Sequence, residues 1–436
     1  MPQSSSRSSA SATGLDVRPF RALTYRHQDP EHLARVSSPA YDLVTPAGRR
    51  RLAASDPHNV VRLILPLTGP GDGQDPGEGD AVQRSAELAA ATLGRWQQDR
   101  VLVRDAEPAL WLYELQPAGD GPATVGWLGA VALPPPGSTA VLPHEDTYPR
   151  AVEGRRALLS ATATDLEPIV LAHDPDPEVA ALTGEMRRGR PDLVVQDVDG
   201  VRHRLWRVTD RRTIGGVIGA LARTEAVIAD GHHRFAAARA HQRSTGGGPG
   251  SVLALVTPMG PGGLRVDAIH RVVPGLDLDA ALHAAAAGFR LTELPAGGSS
   301  LADDVRRWAA DPEQTGFLVS DGQRLVHLSH PTGDVLTTVP PEAPPAWRGL
   351  DVVLAHHGLL AHLWRRADDP DSVLIAHSVE EALRVAAERA GVALLLRPPS
   401  PADVAAVARA GARMPRKSTL FVPKPRTGLV MRPLAD

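Results

Sequence analysis

Two residue types are missing or nearly missing from this sequence of 436 residues, which has no cysteine and only two lysines. The absence of cysteine excludes disulfides, thiolate metal ligands and cysteine nucleophiles, and it is typical of proteins in a reducing cytoplasm. No apolar run approaches the ~20 residues that span a bilayer, so no membrane helix is predicted. The net charge of −3 argues against binding to nucleic acid, which needs a basic surface.

The pattern along the chain predicts several domains and a mixed fold. Residues 1–15 are rich in serine and lack the apolar segment of a secretory signal, so we expect a disordered tail. Strands and helices are mixed throughout the remainder, which indicates an α+β (mixed α/β) fold. A change to helix–strand alternation beyond Pro274 predicts one domain over residues 16–275 and a C-terminal α/β domain over residues 276–436. Within the first domain, the apolar run 60–67 is typical of a buried strand.

The segment Asp230-Gly231-His232-His233-Arg234 is the strongest candidate site. An apolar strand precedes it, Gly231 permits a tight turn, and an alanine-rich helix follows. The start of a helix attracts anions because its N–H groups are unpaired and its dipole is positive there. His232, His233 and Arg234 would add donors for a phosphate, while Asp230 could cap the helix, bind a metal or accept a proton. A capped helix with two surface histidines is the alternative interpretation.

Both lysines lie in the short segment 414–424, in a chain that otherwise uses arginine for positive charge. Lysine is a compact charge that can lose its proton, whereas arginine is a planar cation that keeps it. We therefore expect a functional or packing role for at least one of Lys417 and Lys424. Lys417, Ser418 and Thr419 could donate to a phosphate, although the segment lacks the second glycine of a P-loop. A surface loop is the alternative.

A second, weaker candidate follows a proline in a predicted loop. It contains His144, Glu145 and Thr147, of which Glu145 could act as a general base or hold a metal. The HExxH zinc motif is excluded because position 148 is a tyrosine. A polar turn is the alternative.

Two further pairs of residues could line a pocket. Tyr41 and Asp42 follow the rigid Pro39, where a structural turn is the alternative. His270-Arg271 ends a predicted strand and could point into the same pocket as the strongest candidate. A buried structural histidine is an equally good interpretation of His270.

Four of these segments together resemble a known family. ADGHHRFAAA, PHEDT, SSPAYDLV and MPRKSTLFVPK are similar to segments of the bacterial and archaeal "domain of unknown function 1015" family. The resemblance covers the chain from about Asp16 to Leu434. The family pattern has a second proline and an aromatic residue where this chain has Ala40 and Leu420. Because the family is similar to the ParB/sulfiredoxin superfamily, the resemblance implies a ParB/sulfiredoxin-like core with insertions in residues 16–275.

The resemblance also implies an activity, because the family is linked to kinases that phosphorylate free L-serine with ADP or ATP. It implies that residues 231–234 bind nucleotide phosphates and that Asp230 binds Mg²⁺ or substrate. A glutamate is the catalytic base of these kinases, and we assign this role to Glu145, with Asp42 in reserve. The remaining candidates are expected to line the substrate pocket: Tyr41, His144, Thr147, His270, Arg271 and Lys424.

Two functions remain open from the sequence. The first is a cytoplasmic small-molecule phosphotransferase that uses ADP or ATP with Mg²⁺ and a hydroxyl acceptor such as L-serine. The second is a non-catalytic nucleotide-binding switch of the ParB type, which normally carries a basic DNA-binding helical domain that we do not find in this sequence. Sulfiredoxin-like repair is excluded because it requires a catalytic cysteine.

Overall fold

The computed structural model describes residues 14–435, except for residues 67–78, 120, 249, 261, 296–299, 312, 368, 370 and 371. The chain forms two compact units. The first combines residues 1–265 with residues 423–436, and the second contains residues 266–422. Both units contain strands and helices, so the predicted mixed α+β fold is confirmed. Over the described ranges, no helix is long and apolar enough to cross a membrane.

A nine-stranded sheet is the framework of the described part of the first unit. Eight of its strands follow one another across the sheet, and the ninth, Val17–Arg18, pairs with the strand Thr124–Ala132. Leu110 and Leu112 join one hydrophobic core while Trp111 and Tyr113 join another, because successive side chains of a strand point to opposite faces. The sheet is therefore buried on both faces. From edge to edge its strands are Val141–Leu142, Ala226–Asp230, Ile169–His173, Ser251–Pro258, Thr124–Ala132, Leu110–Gln116, Arg202–Val208 and Leu193–Gln196.

Helices pack around this sheet, and several begin with side-chain caps. Thr45 accepts a hydrogen bond from the Gly48 N–H at 3.1 Å, and Pro46 occupies the first turn. Such a start is favoured because proline has no N–H to leave unpaired. The helical segments of the first unit are Pro30–Val36, Tyr41–Leu43 (a 3₁₀ turn), Pro46–Ser55, Val61–Ile64, Gly79–Gln98, Pro149–Thr162, Pro177–Met186, Arg211–Leu221 and His232–Ser244.

After the second unit, the chain returns to the first unit over residues 423–435. The Thr427 N–H donates to the Ser38 carbonyl at 2.8 Å. Further along, Arg432 Nε donates to Asp165 Oδ2 at 2.8 Å, and both of these side chains are buried. This return segment also forms the short strand pair Thr164–Asp165 with Arg432–Pro433. Another pair joins Leu23–Tyr25 to Leu102–Arg104.

The second unit is built on a six-stranded antiparallel sheet. Its strands follow the order Arg290–Leu294, Leu325–Ser329, Phe317–Ser320, Val392–Leu395, His270–Val273 and Leu374–Ala376. A two-stranded sheet combines Arg265–Asp267 with Leu420–Val422. The helices are Leu278–Ala285, Leu301–Ala310, Gly333–Leu336, Pro345–Arg348, Asp351–Leu354, Ala355–Leu363 (a π-helix), Val379–Glu388 and Pro401–Arg409.

The structure differs from the sequence-based expectations in three places. The division between units falls at residue 265 and not at 275, and the segment 423–436 belongs with the first unit because it hydrogen-bonds there. Most of the predicted tail lies outside the described residues, but Leu15 is a buried core residue. The apolar run that begins at Val60 is not a strand, because Val61–Ile64 is a helical turn. The Asn59 side chain accepts the Val61 N–H at 2.9 Å and initiates that turn.

Candidate functional site

The strongest candidate segment forms the strand-to-helix junction that the sequence predicts. The strand Ala226–Asp230 ends, Gly231 adopts φ +95°, and the helix begins at His232. A Cβ atom on Gly231 would lie 2.7 Å from Ile169 Cγ2. Glycine is therefore required here both for its left-handed backbone and for the close approach of the neighbouring strand. Gly231 is the helix cap, and Asp230 does not cap the helix, contrary to one of the predicted roles.

Replacing Gly231 by alanine is expected to lower the free energy of unfolding of the first unit by about 1–3 kcal/mol, because of backbone strain and the steric clash with Ile169. Urea unfolding measures this change. Gly154→Ala is the matched control, because nothing lies within 4 Å of a Cβ atom at that helical position. The control should gain about 0.5–1 kcal/mol. Equal stability of the two variants would contradict the assigned role of Gly231.

Asp230 belongs to a cluster of four charged side chains drawn from distant parts of the chain. One carboxylate oxygen of Asp230 accepts a hydrogen bond from Arg234, and the other lies 2.7 Å from Lys424 Nζ. Lys424 also donates to Asp42, which is 382 positions away in the sequence. The side chains of Asp230, Arg234 and Lys424 are 13%, 11% and 10% exposed, whereas Asp42 is 37% exposed. Two positive and two negative charges thus balance in a largely buried cluster.

The opposite charges in this cluster keep Asp230 and Lys424 ionised despite their burial. Burial alone would raise the pKa of Asp230, but Arg234 and Lys424 outweigh it and hold that pKa below its ordinary value. Burial would likewise lower the pKa of Lys424, but Asp230 and Asp42 raise it above its ordinary value. Asp230 is therefore a carboxylate and Lys424 a cation at neutral pH.

Arg234 points inwards from the helix. Its Nη1 donates to the Pro168 carbonyl at 2.5 Å, while Nη2 bonds Asp230. Its buried Nε has no hydrogen-bond partner among the described residues and would lie 3.2 Å from a Cβ atom on Gly231. The guanidinium also lies 5.7 Å from the centre of the Tyr41 ring. In this arrangement Arg234 holds the junction and Asp230 in place, and its contact with a nucleotide phosphate stays a prediction.

Tyr41 connects the charged cluster to Arg155 and Glu167, two residues that no sequence motif indicated. Its ring is covered by the Arg155 guanidinium at 4.1 Å, and its backbone N–H donates to Glu167 Oε1 at 3.0 Å. The Thr427 hydroxyl donates to the same oxygen at 3.0 Å. Glu167 is buried, and it ties the Tyr41–Asp42 turn to the return segment. Burial raises the pKa of the Tyr41 phenol, more than the neighbouring arginines lower it. These roles depend on contacts between distant residues, which is why no local pattern signalled Glu167 or Arg155.

Glu145 lies between two buried imidazole rings. Its carboxylate oxygens are 4.0 Å from His144 Nε2 and 3.9 Å from His232 Nδ1. The two rings meet edge to face, with centroids 4.6 Å apart. The backbone N–H of His144 donates to His232 Nε2 at 3.3 Å, which leaves Nδ1 of His232 to carry the proton that faces Glu145. The Glu145 side chain is 33% exposed, so it can reach a bound ligand.

The loop that contains Glu145 continues along the first turn of the helix His232–Ser244. The Tyr148 N–H donates to His233 Nε2 at 3.1 Å, and the two rings stack with centroids 5.9 Å apart. Thr147, predicted to line the pocket, is partly exposed on this loop. The two strongest motifs of the sequence therefore lie side by side in the first unit.

Asp230 does not fit the predicted role of Mg²⁺ ligand in this arrangement. Mg²⁺ is held by free carboxylate oxygens together with phosphates and water, but both oxygens of Asp230 already bond cationic side chains. Within the described ranges, the structure contains no group of three or more histidine and carboxylate side chains placed to hold a metal ion.

The other predicted site residues lie in the second unit. Arg271 is fully buried, and its Nη2 donates to the Arg416 carbonyl at 2.9 Å. His270 begins a strand and does not end one, and its Nδ1 accepts the Leu396 N–H at 3.2 Å. Burial and the charge of Arg271 lower the pKa of His270 to about 4, so its imidazole is neutral. Both residues are part of the interior of that unit.

The Lys417 segment, also in the second unit, is a tight turn. Lys417 is exposed and has φ +52°. The buried Ser418 hydroxyl donates to the Pro415 carbonyl, which occupies its proton. Thr419 follows at the start of the strand Leu420–Val422. Of the two lysines, Lys424 is the one that the structure places with Asp230.

Comparison with known proteins gives a family match and distant structural neighbours. The family model described as "Protein of unknown function (DUF1015)" matches residues 17–353. No curated protein matches the chain. A solved structure of a free serine kinase mutant in complex with ADP has 12% identity and a TM-score of 0.34, covering 70% of this chain and 90% of its own. SbnI from Staphylococcus aureus, truncated at its C-terminus, has 13% identity and a TM-score of 0.36, with coverages of 71% and 88%. A conserved hypothetical protein from Pyrococcus furiosus has 13% identity and a TM-score of 0.33, with coverages of 70% and 93%.

Proposed function

We propose that this chain, which belongs to the DUF1015 family of proteins of unknown function, is a nucleotide-dependent phosphotransferase that acts on a small hydroxyl substrate. The observation that carries the proposal is the assembly of charged groups at one helix start from four separate segments of the chain. Lys424 bonds both Asp42 and Asp230, while Glu145 lies beside His232, the first residue of the helix. Local structure alone does not require these segments to come together. Clusters of buried ionisable groups with shifted pKa values, as for Asp230 and Lys424, are typical of functional sites.

Phosphoryl transfer depends on positioning and on charge stabilisation, and this cluster offers both. The helix that begins at His232 directs the positive end of its dipole at the junction. Lys424, held by Asp42 and Asp230, is the cation that we assign to the transferred phosphate. Arg234 keeps Asp230 ionised, so the position of Lys424 is fixed before the nucleotide binds.

Glu145 is the proton acceptor in this proposal. The acceptor hydroxyl oxygen attacks the terminal phosphorus of the nucleotide, and its proton passes to Glu145. The bond from that phosphorus to the bridging oxygen breaks, so that ADP leaves as AMP, or ATP as ADP. His144 and His232 flank Glu145, each with a ring nitrogen about 4 Å from one of its carboxylate oxygens. L-Serine is the first acceptor to test, because the resemblance of the sequence motifs implies it.

The proposal is tested by calorimetric binding of ADP, ATP and CTP in the presence of MgCl₂, followed by assays for phosphoserine with free L-serine and for phosphate transfer to other small alcohols. We expect saturable binding of ADP or ATP and formation of a phosphorylated acceptor. Binding without any product would contradict the catalytic part and favour a nucleotide-binding switch. No binding of any nucleotide would contradict the proposal as a whole.

The two lysines provide a matched pair of variants for the same experiment. Lys424→Met should weaken nucleotide binding about tenfold or more, because it removes a charge-assisted contact with phosphate. Lys417→Met, which removes the exposed lysine of the other unit, should bind as the wild type does. Thermal unfolding of both variants verifies that they are folded. Equal affinities of the two variants would contradict the assignment of Lys424.

A further inference from the structure

Tyr148 is an exposed aromatic side chain beside the proposed phosphate site. Its exposed fraction is 59%, and among the large apolar side chains exposed in the described residues it alone is aromatic. Aromatic residues make up only 4% of the sequence, and most of the large ones belong to the cores. Tyrosine is enriched where proteins contact other molecules, because its ring is apolar and its hydroxyl is polar.

The ring of Tyr148 is held in a defined orientation. One face stacks on the His233 imidazole, with an angle of 16° between the two planes. The hydrogen bond from the Tyr148 N–H to His233 Nε2 fixes the imidazole against the same residue. Pro149 follows and restricts the backbone of Tyr148 to extended conformations. The stacked pair is therefore a preorganised flat surface, with one face of the tyrosine ring directed away from His233.

The position of this surface relative to the helix start suggests what it binds. His233 is the second residue of the helix whose N-terminus is the proposed phosphate site, and it is also the residue on which Tyr148 stacks. A ligand with its phosphates at that helix start would have its remaining part close to Tyr148. The π-face of a nucleobase stacks on an exposed aromatic ring without specific hydrogen bonds.

We propose that the outer face of Tyr148, supported by His233, is the platform on which the base of the nucleotide stacks. This inference rests on the proposed function and names the half of the ligand that the charged cluster does not recognise. It makes Tyr148 a binding residue for the base of the nucleotide and gives His233 a positioning role.

The experiment compares ADP with pyrophosphate, which has the phosphates but no base. Affinity for ADP is measured by calorimetry, and pyrophosphate is measured as a competitor of ADP. The variants are Tyr148→Ala, Tyr148→Phe and, as control, Val198→Ala. Val198 is 98% exposed in a turn beside the sheet edge opposite to the strand Ala226–Asp230. Thermal unfolding confirms that each variant is folded.

We expect Tyr148→Ala to weaken ADP binding about ten- to hundredfold while the affinity for pyrophosphate stays within about twofold of the wild type. Tyr148→Phe keeps the ring and should retain ADP binding, as should Val198→Ala. If Tyr148→Ala binds ADP as the wild type does, the platform is wrong and the phosphate site stands. Equal losses for ADP and pyrophosphate would overturn the platform too, because Tyr148 would then only support the helix start. If the wild type binds neither ligand, the proposed function fails and the platform fails with it.

Discussion

An Arg234→Met variant is expected to lose about 3–5 kcal/mol of the free energy of unfolding of the first unit, the range measured when one partner of a buried ion pair is removed. Arg234 and Asp230 are both nearly buried, so Asp230 would share Lys424 with Asp42 as its one remaining cationic partner and could not recover its hydration. The variant also leaves the Pro168 carbonyl without its 2.5 Å donor. Urea unfolding, followed by circular dichroism, measures the loss.

Two further variants distinguish the effect of the buried charge on stability from the effect of removing side-chain packing. Arg239→Met changes an arginine of the same helix that lies over Phe235, for which we expect a loss of no more than about 1 kcal/mol. The double variant Asp230→Asn with Arg234→Met removes the pair together and leaves Lys424 opposite Asp42. It should recover part of the lost stability, since one cation and one carboxylate remain and the charges of the cluster balance again. A double variant less stable than Arg234→Met alone would contradict the central role of the ion pair.

A Glu145→Gln variant is expected to lower the rate of phosphate transfer about 10²- to 10⁴-fold, the usual contribution of a general base. Glutamine keeps the shape of the side chain but cannot accept the proton of the acceptor hydroxyl. Nucleotide affinity should stay within about twofold of the wild type, because the proposed phosphate contacts come from other residues. Steady-state assays and calorimetry on the same preparation measure both quantities.

Controls for this prediction come from the neighbouring helix and from the reserve base. Glu153→Gln changes an exposed glutamate on the helix Pro149–Thr162 and should leave turnover unchanged. Asp42→Asn tests the other carboxylate to which the base role was assigned in reserve. A large loss of turnover for Asp42→Asn, with normal turnover for Glu145→Gln, would move the base from Glu145 to Asp42.

Sequence reasoning succeeded where the signal was local. The apolar strand, Gly231 and the alanine-rich helix are contiguous, and each has a direct physical effect on the backbone. The scarcity of lysine drew attention to Lys424, which the structure shows in ion pairs with Asp42 and Asp230. Local reasoning failed at the apolar run that begins at Val60, because a short apolar run is compatible with a buried strand and with a buried helical turn.

The remainder of the site could not be predicted because it depends on contacts between distant segments. Nothing in the neighbourhood of Glu167 indicates that it binds the Tyr41 backbone and the Thr427 hydroxyl. The partner of Lys424 is 382 positions away, and no local pattern encodes such a distance. His270, Arg271 and Lys417 belong to the second unit, and their roles at the site stay predictions.

The return of residues 423–435 to the first unit has a consequence for the order of events during synthesis. Protein chains emerge from the ribosome from the N-terminus onwards, and domains fold as their residues become available. A nascent chain that has reached only residue 422 contains the large sheet of the first unit but lacks Lys424 and Thr427. Asp42 and Asp230 are then present without Lys424, the cation that bonds both of them in the full chain. Residues 266–422 of the second unit must be synthesised after Asp230 and before Lys424, so the charged cluster is completed only near the end of synthesis. A nascent or prematurely terminated polypeptide that ends before Lys424 therefore lacks the complete charged cluster.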